Sequence, residues 1–256
     1  MNFSANLGFL FTDLSLPDGI RAAKAAGFSA VECHFPYDTR PADIMTALTE
    51  TGLPMLGLNT HPGNRDAGEF GLSAMPGRGA DARAEIDRAC DYAVATGTRM
   101  VHVMAGRTDG GPDADQAFVD TLSYATERAA TNGLDILIEP INHRDVPGYH
   151  LSRVEQAVDL IDRIGAPNLK IMFDCYHVQI MQGDLIQRFR THQHMIGHVQ
   201  IAAVPDRGEP DQGELSYHHI IPALRDLGYT APIGAEYKPR GTDTDAGLGW
   251  LSAYSG

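Results

Sequence analysis

The chain has 256 residues, of which 43% are hydrophobic, enough to fill a sizeable core in one domain spanning 1–256. Lys and Arg number 20 against 33 Asp and Glu, a formal charge of −13, which argues against a phosphate-backbone partner such as nucleic acid. The three cysteines (Cys33, Cys90 and Cys175) form no CxxC pair, so neither a disulfide framework nor a thiolate zinc site is expected, and a reducing cytoplasm fits.

The first residues, "MNFSANLGFLF", lack the basic start and cleavage site of a signal peptide, and no apolar run is long enough to cross a bilayer. Short β-type runs then alternate with amphipathic helical stretches. A strand over 3–9 precedes a helix over 17–26, which has Pro17 near its start and Gly27 just past its end. Strands at 30–33, 55–59, 100–104 and 136–139 precede helices at 41–51, 80–96, 112–131 and 151–164. Strands at 170–173, 196–201 and 233–236 precede helices at 179–191, 216–227 and 244–253. Eight strand–helix units in unbroken alternation predict an α/β protein built as a single (β/α)8 TIM barrel. A doubly wound sheet would normally carry a Gly-rich turn after its first strand, and "GFLFTDLSLP" has none. The long irregular stretches at 60–79 and 202–214 both follow strands, and so belong to the rim where a barrel keeps its active site.

Glu139, Asp174, Gln200 and Glu236 stand at or near the C-terminal ends of the last four strands. In a closed barrel these ends share one face and point toward a common axis. Four oxygen donors there form a cage for a hard divalent cation. A lone acid after a strand commonly caps the next helix, but four equivalent positions on consecutive strands are poorly explained by four unrelated caps. The two glutamates come from different strands and can flank a substrate, one removing a proton and the other returning it.

The segments "IEPIN…RDVPGY", "FDCYHVQIMQGDL", "HVQIAAVPDRGEPDQGE" and "EYKP…GLGW" resemble the hydroxypyruvate isomerase family of the xylose-isomerase-like barrels. The resemblance extends to "NLGFLFTDLSLPDGIRAAKAAGFSAVECHFPYD" and "HVMAGR", and so spans nearly the whole chain. It implies a metal site of Glu139, Asp174, Gln200 and Glu236, with Glu139 and Glu236 as the acid/base pair. The related sugar epimerases place a histidine at the position of Gln200. An amide makes the site all-oxygen, which favours Mg2+ first and Mn2+ second over zinc. The resemblance further implies that His177 contacts a substrate oxygen and that Arg207 grips the substrate, for which its fork suits a carboxylate. Asp145 is expected to support the site from behind. Lys238 and Arg240 add positive charge at the rim. His61 and His102 end strands three and four; both are expected to be pocket-lining or structural, with His102 placed at the substrate.

The implied activity is a cation-assisted aldose–ketose isomerisation through an enediolate. It would convert hydroxypyruvate to tartronate semialdehyde, or 2-oxotetronate to 3-oxotetronate. The rivals are a sugar 3-epimerase or inosose dehydratase, an endonuclease IV-like nuclease, and a noncatalytic sugar-acid binder. The expected partner is a small hydroxy-keto acid, with no nucleic acid and no membrane; a homo-oligomer is compatible with the sequence. The residues do not decide which glutamate acts first, nor the carbon-chain length of the substrate. The loop "NTHPGNRDAGEFG", where His61 departs from the family pattern, bears on that length.

Overall fold

A computed structural model describes residues 2–254; residues 1, 255 and 256 of the expected span lie outside the described residues. Eight parallel strands form one sheet in the order β2-β1-β8-β7-β6-β5-β4-β3. They are β1 (Phe3–Asn6), β2 (Ala30–Glu32), β3 (Gly57–Asn59), β4 (Met100–His102), β5 (Asp135–Ile138), β6 (Leu169–Asp174), β7 (Ile196–Ile201) and β8 (Ile233–Ala235). A parallel bridge between Val31 and Met55 brings β2 against β3 and closes the ring, supported by Val31 N–H donating to Pro54 O at 3.0 Å.

The helices pack outside: α1 (Leu16–Ala25), α2 (Pro41–Thr51), α3 (Gly79–Thr96), α4 (Pro112–Ala130), α5 (Val154–Ile164), α6 (Cys175–Met181), α7 (Leu185–His192), α8 (Tyr217–Asp226) and α9 (Gly249–Tyr254). Their boundaries follow local chemistry. The Ser15 hydroxyl caps α1 by accepting from Asp18 N–H, and α2 has Pro41 in its first turn. In α4, Phe118, Leu122, Ala125 and Ala129 recur at helical spacing and are fully buried. No helix among the described residues is long and apolar enough to cross a membrane.

Two expectations are corrected. The single helix at 179–191 is two helices, α6 and α7, separated where Gly183 (φ 67°) and Asp184 (φ 54°) turn left-handed and stop helical propagation. The first strand ends at Asn6 rather than continuing to residue 9, because Phe9 and Leu10 N–H both turn back to Asn6 O.

Strand alternation divides the core. Ile136, Ile138, Ile171 and Phe173 are fully buried among the apolar core residues. Leu137 and Met172 share a small internal cavity with His198 and Gln200. The next position of the same parity, one layer higher, is Glu139 after Leu137, Asp174 after Met172 and Glu236 after Gly234. The acids at the strand ends therefore occupy the uppermost inward layer of the barrel.

Beneath that layer lies a polar floor. The buried Glu32 carboxylate accepts from Ser4 Oγ (2.9 Å), Asn6 Nδ2 (3.0 Å), His198 Nε2 (2.7 Å) and Gln200 Nε2 (2.8 Å). Burial opposes its charge, but His198 and the Gln200 hydrogen bond hold it below the usual carboxylate range. Gly234 makes room for this group: a Cβ there would stand 2.7 Å from Glu32 Oε1 and 2.8 Å from Gln200 Cγ.

The rim loops are bonded to one another. The β3 loop pairs with the β4 loop through a Gly71–Ala105 bridge and through Arg107 Nη1 donating to Gly68 O. The β7 loop joins the β8 loop through Lys238 N–H donating to Arg207 O at 2.7 Å, and through Arg240 with Asp206 and Glu209.

Candidate active site

Asp174 and Gln200 are paired across the β6–β7 ladder, and Gln200 is paired with Gly234 across β7–β8. This register sets Asp174, Gln200 and, two residues beyond Gly234, Glu236 on adjacent strands. Glu139 follows β5 directly. Asp174 also caps α6, since its Oδ1 accepts from Tyr176 N–H at 2.8 Å, while its Oδ2 faces the barrel axis near His177 and Arg207. The capping role and the inward role thus belong to different oxygens of one carboxylate.

Arg207 reaches the same point from the β7 loop. Its backbone is left-handed (φ 57°), a conformation non-glycine residues seldom adopt, and is held by Arg207 N–H donating to Ala203 O and by the Lys238 contact. The guanidinium Nη2 lies 2.5 Å from Glu236 Oε2 and 3.5 Å from Asp174 Oδ2, flanked by the rings of Phe9 and Tyr176 at 5.0 Å each. Glu236 Oε1 is met by His34 Nε2 at 2.7 Å and Asn6 Nδ2 at 3.2 Å.

The electrostatics separate the two glutamates. Burial, with Glu236 and Asp174 nearby, pushes Glu139 well above the ordinary carboxylate range. Burial likewise raises Asp174 to about 7, against the pull of Arg207. Glu236 is also buried, but Arg207 and the His34 hydrogen bond hold it below the usual range. Burial lowers His102 to about 4, and neither of its ring nitrogens has a hydrogen-bond partner.

The residues fit a divalent cation. The Glu139 and Asp174 carboxylates lie close enough to share an ion, with His177 beside them: polar side-chain atoms of the three stand within 4.8 Å of one another. The buried Glu139 Oε1 and Gln200 Oε1 have no hydrogen-bond partner. Because Gln200 Nε2 is committed to Glu32, it is the oxygen of that amide that remains. Buried carboxylates raised by desolvation and by one another, with an orphaned oxygen on Glu139 itself, suit a hard cation, while Gln200 lines the small cavity just beneath.

A cavity of about 190 Å³ opens above this layer, lined by Glu139, Glu236, Arg207, His177, His102 and Phe9 together with residues of the β2 and β3 loops. The other sequence-predicted residues lie outside it. Asp145 sits behind, its Oδ2 accepting from Tyr176 Oη (2.7 Å) and Asn142 Nδ2 (3.2 Å). Lys238 Nζ stands 5.7 Å over the Phe9 ring. Arg240 is engaged by Asp206 and Glu209. His61 accepts from Gly63 N–H beside Phe35 and Tyr37.

Sequence reasoning passed over Asn6, Glu32 and His34, over Arg65, which lines the cavity from the β3 loop, and over Asn142, whose side chain meets His177 Nδ1. Asn6 and Glu32 carried a usable signal, since each ends an apolar strand as Glu139 nearly does. His34 meets Glu236 across 202 positions and left no local pattern.

The family model of the xylose isomerase-like TIM barrel matches residues 20–254. A protein of Cupriavidus necator named 2-oxo-tetronate isomerase is 45% identical, covering 99% of this chain and 98% of its own. The hydroxypyruvate isomerase of Escherichia coli is 38% identical, covering 99% of both. A crystal structure described as AP endonuclease, family 2, from Brucella melitensis superposes with a TM-score of 0.95 at 39% identity, covering 99% of this chain and 98% of that one.

Proposed function

The chain belongs to the xylose isomerase-like TIM barrel family, and on that premise we propose that it interconverts a small 2-keto hydroxy acid and its isomer, using Glu139 and Glu236 as the acid/base pair. It is an isomerase. The substrate pair is hydroxypyruvate and tartronate semialdehyde, or 2-oxotetronate and 3-oxotetronate. The observation that carries the mechanism is the placement of two glutamates from β5 and β8 on one small cavity, with a forked arginine at one of them.

One glutamate removes the proton from the hydroxyl-bearing carbon, and the other, or the same one, returns it to the neighbouring carbon, while the hydroxyl proton passes to the former carbonyl oxygen. Arg207 holds the substrate carboxylate; its planar fork fixes the orientation as a lysine could not. His177 and His102 face the substrate oxygens. Glu139, Asp174, Gln200 and Glu236 would hold the cation, which the all-oxygen donor set suits to Mg2+ or Mn2+. When bound, the cation polarises the reacting carbonyl and hydroxyl oxygens.

The acidic charge of −13 disfavours a nucleic-acid substrate, and the free, buried cysteines Cys33, Cys90 and Cys175 suit the cytoplasm. The test is a substrate panel on purified protein, stripped by chelation and restored with Mg2+ or Mn2+, in deuterated water. Turnover of a hydroxy-keto acid with deuterium uptake at carbon is the expected result. Turnover of neutral ketoses alone would replace this reading with a sugar epimerase.

A further inference from the structure

We propose that Asn142 is a positioning residue that fixes the tautomer of His177 with the proton on Nε2, so that the ring offers a substrate oxygen an N–H donor and stays outside the cation's ligand set. The role toward substrate rests on the isomerase reading above; the tautomer itself rests on hydrogen bonds alone.

The assignment follows from two backbone N–H groups, which can only donate. Asn142 N–H points to His177 Nδ1 at 3.3 Å. Asp145 N–H points to the Asn142 side chain at 2.8 Å, which identifies the accepting atom as Oδ1. The other end of that amide is therefore the NH2 group. It lies 2.6 Å from His177 Nδ1 and 3.2 Å from Asp145 Oδ2. Asp145 Oδ2 also accepts from Tyr176 Oη at 2.7 Å, which anchors the far end of the relay.

His177 Nδ1 thus meets two donors and must present its lone pair. In a neutral imidazole the proton is then on Nε2.

A metal-ligating histidine is built the other way round. Its distal N–H donates to a carboxylate or carbonyl, and the nitrogen at the metal carries the lone pair. The nearness of His177 to Glu139 and Asp174 is therefore that of a donor beside acceptors. Nε2 lies 3.7 Å from Glu139 Oε1 and 3.5 Å from Asp174 Oδ2. From there an uncharged N–H can serve a substrate oxygen on which negative charge develops.

The experiment is a long-range proton–nitrogen correlation spectrum of metal-free protein labelled with nitrogen-15 in its histidines, with His177 assigned by its loss in His177→Gln. The wild type is expected to carry its proton on Nε2; a proton on Nδ1 would overturn the proposal without recourse to any variant at position 142. Asn142→Asp, of the same shape, sets an acceptor against Nδ1 and should move the proton there. Its kcat/KM should fall roughly 10- to 100-fold. Zn2+ affinity, titrated with the metal alone, should rise relative to Mg2+ as the Nε2 lone pair turns toward the carboxylates. Asn142→Ala, which keeps only the longer backbone contact of 3.3 Å, should lower the share of the Nε2 tautomer relative to wild type. If both variants retain the wild-type spectrum, Asn142 does not set the tautomer. Failure of the wild type to turn over any hydroxy-keto acid would sink the substrate reading and leave the tautomer result standing.

Discussion

Replacing Glu32 by Gln perturbs the polar floor with almost no change of shape. The Glu32 carboxylate accepts four hydrogen bonds, two at each oxygen, from Ser4, Asn6, His198 and Gln200. An amide at this position has one oxygen and one NH2 group, so Ser4 and His198 must turn acceptor or face a donor, and in either case two bonds to a charged acceptor are lost. Losing two bonds to a charged acceptor, at about 1.5–3 kcal/mol each, gives about 3–6 kcal/mol. Relief from burying a carboxylate offsets part of this, and about 3–5 kcal/mol remains, as for breaking a buried charged network. The chain has a single tryptophan, the buried Trp250 packed against Phe3 and Tyr237, which reports urea unfolding by fluorescence. With a slope of about 3 kcal/mol/M, the midpoint should fall by about 1–1.7 M. The Glu32 carboxyl is held below its ordinary range, so its stabilisation is present above the unfolded carboxylate pKa and fades as pH falls through the lowered folded value. The gap between parent and variant should therefore narrow in acid. A midpoint shift under about 0.3 M at neutral pH would refute the reasoning. Cation affinity should also drop by about tenfold, because the Gln200 amide loses the partner that directs its oxygen.

Glu139→Gln and Glu236→Gln keep an oxygen at each position but remove the base; each should lower kcat by about 10²-fold or more with the fold retained, and near-normal turnover would remove that residue from the pair. Arg207→Ala should lower kcat/KM for an acid substrate by roughly tenfold to a hundredfold, the equivalent of about 1.5–3 kcal/mol, and much less for a neutral ketose; equal losses would deny it the carboxylate. His102 has its folded pKa lowered from 6.5 to about 4, so its contribution is full above the unfolded value and is lost as pH falls from 6.5 toward 4. That is about 3 kcal/mol in all, and His102→Gln should flatten the acid limb of the stability curve by this amount; an unchanged limb would show that His102 does not titrate there.

The barrel was legible because its signals are local. Pro41 at the first turn of α2 and Gly52 after its end delimit that helix within a dozen residues, and the run "DILI" of β5 needs no distant partner to be read as a buried strand. The break between α6 and α7 was missed because hydrophobic spacing continues across Gly183 while the backbone does not. At the site, an acid after an apolar strand drew attention to Glu139, Asp174 and Glu236. The same rule applied to β1 and β2 would have raised Asn6 and Glu32. What no local rule could supply was the partnership of side chains. That His34 meets Glu236, or that Gln200 gives its NH2 group downward to Glu32, depends on ring closure and strand register. Arg207 was visible as a loop cation, but the left-handed backbone that aims it inward was not.

The bonding between neighbouring rim loops bears on how such a pocket can be re-engineered. The β3 and β4 loops meet at Gly71 and Ala105, the β5 and β6 segments at Asn142 and His177, and the β7 and β8 loops at Arg207 and Lys238. A transplant of one loop from a relative would sever contacts that its neighbour supplies. Chimeras that exchange adjacent loops together keep those contacts, so substrate preference in this barrel is better recombined in two-loop modules than one loop at a time.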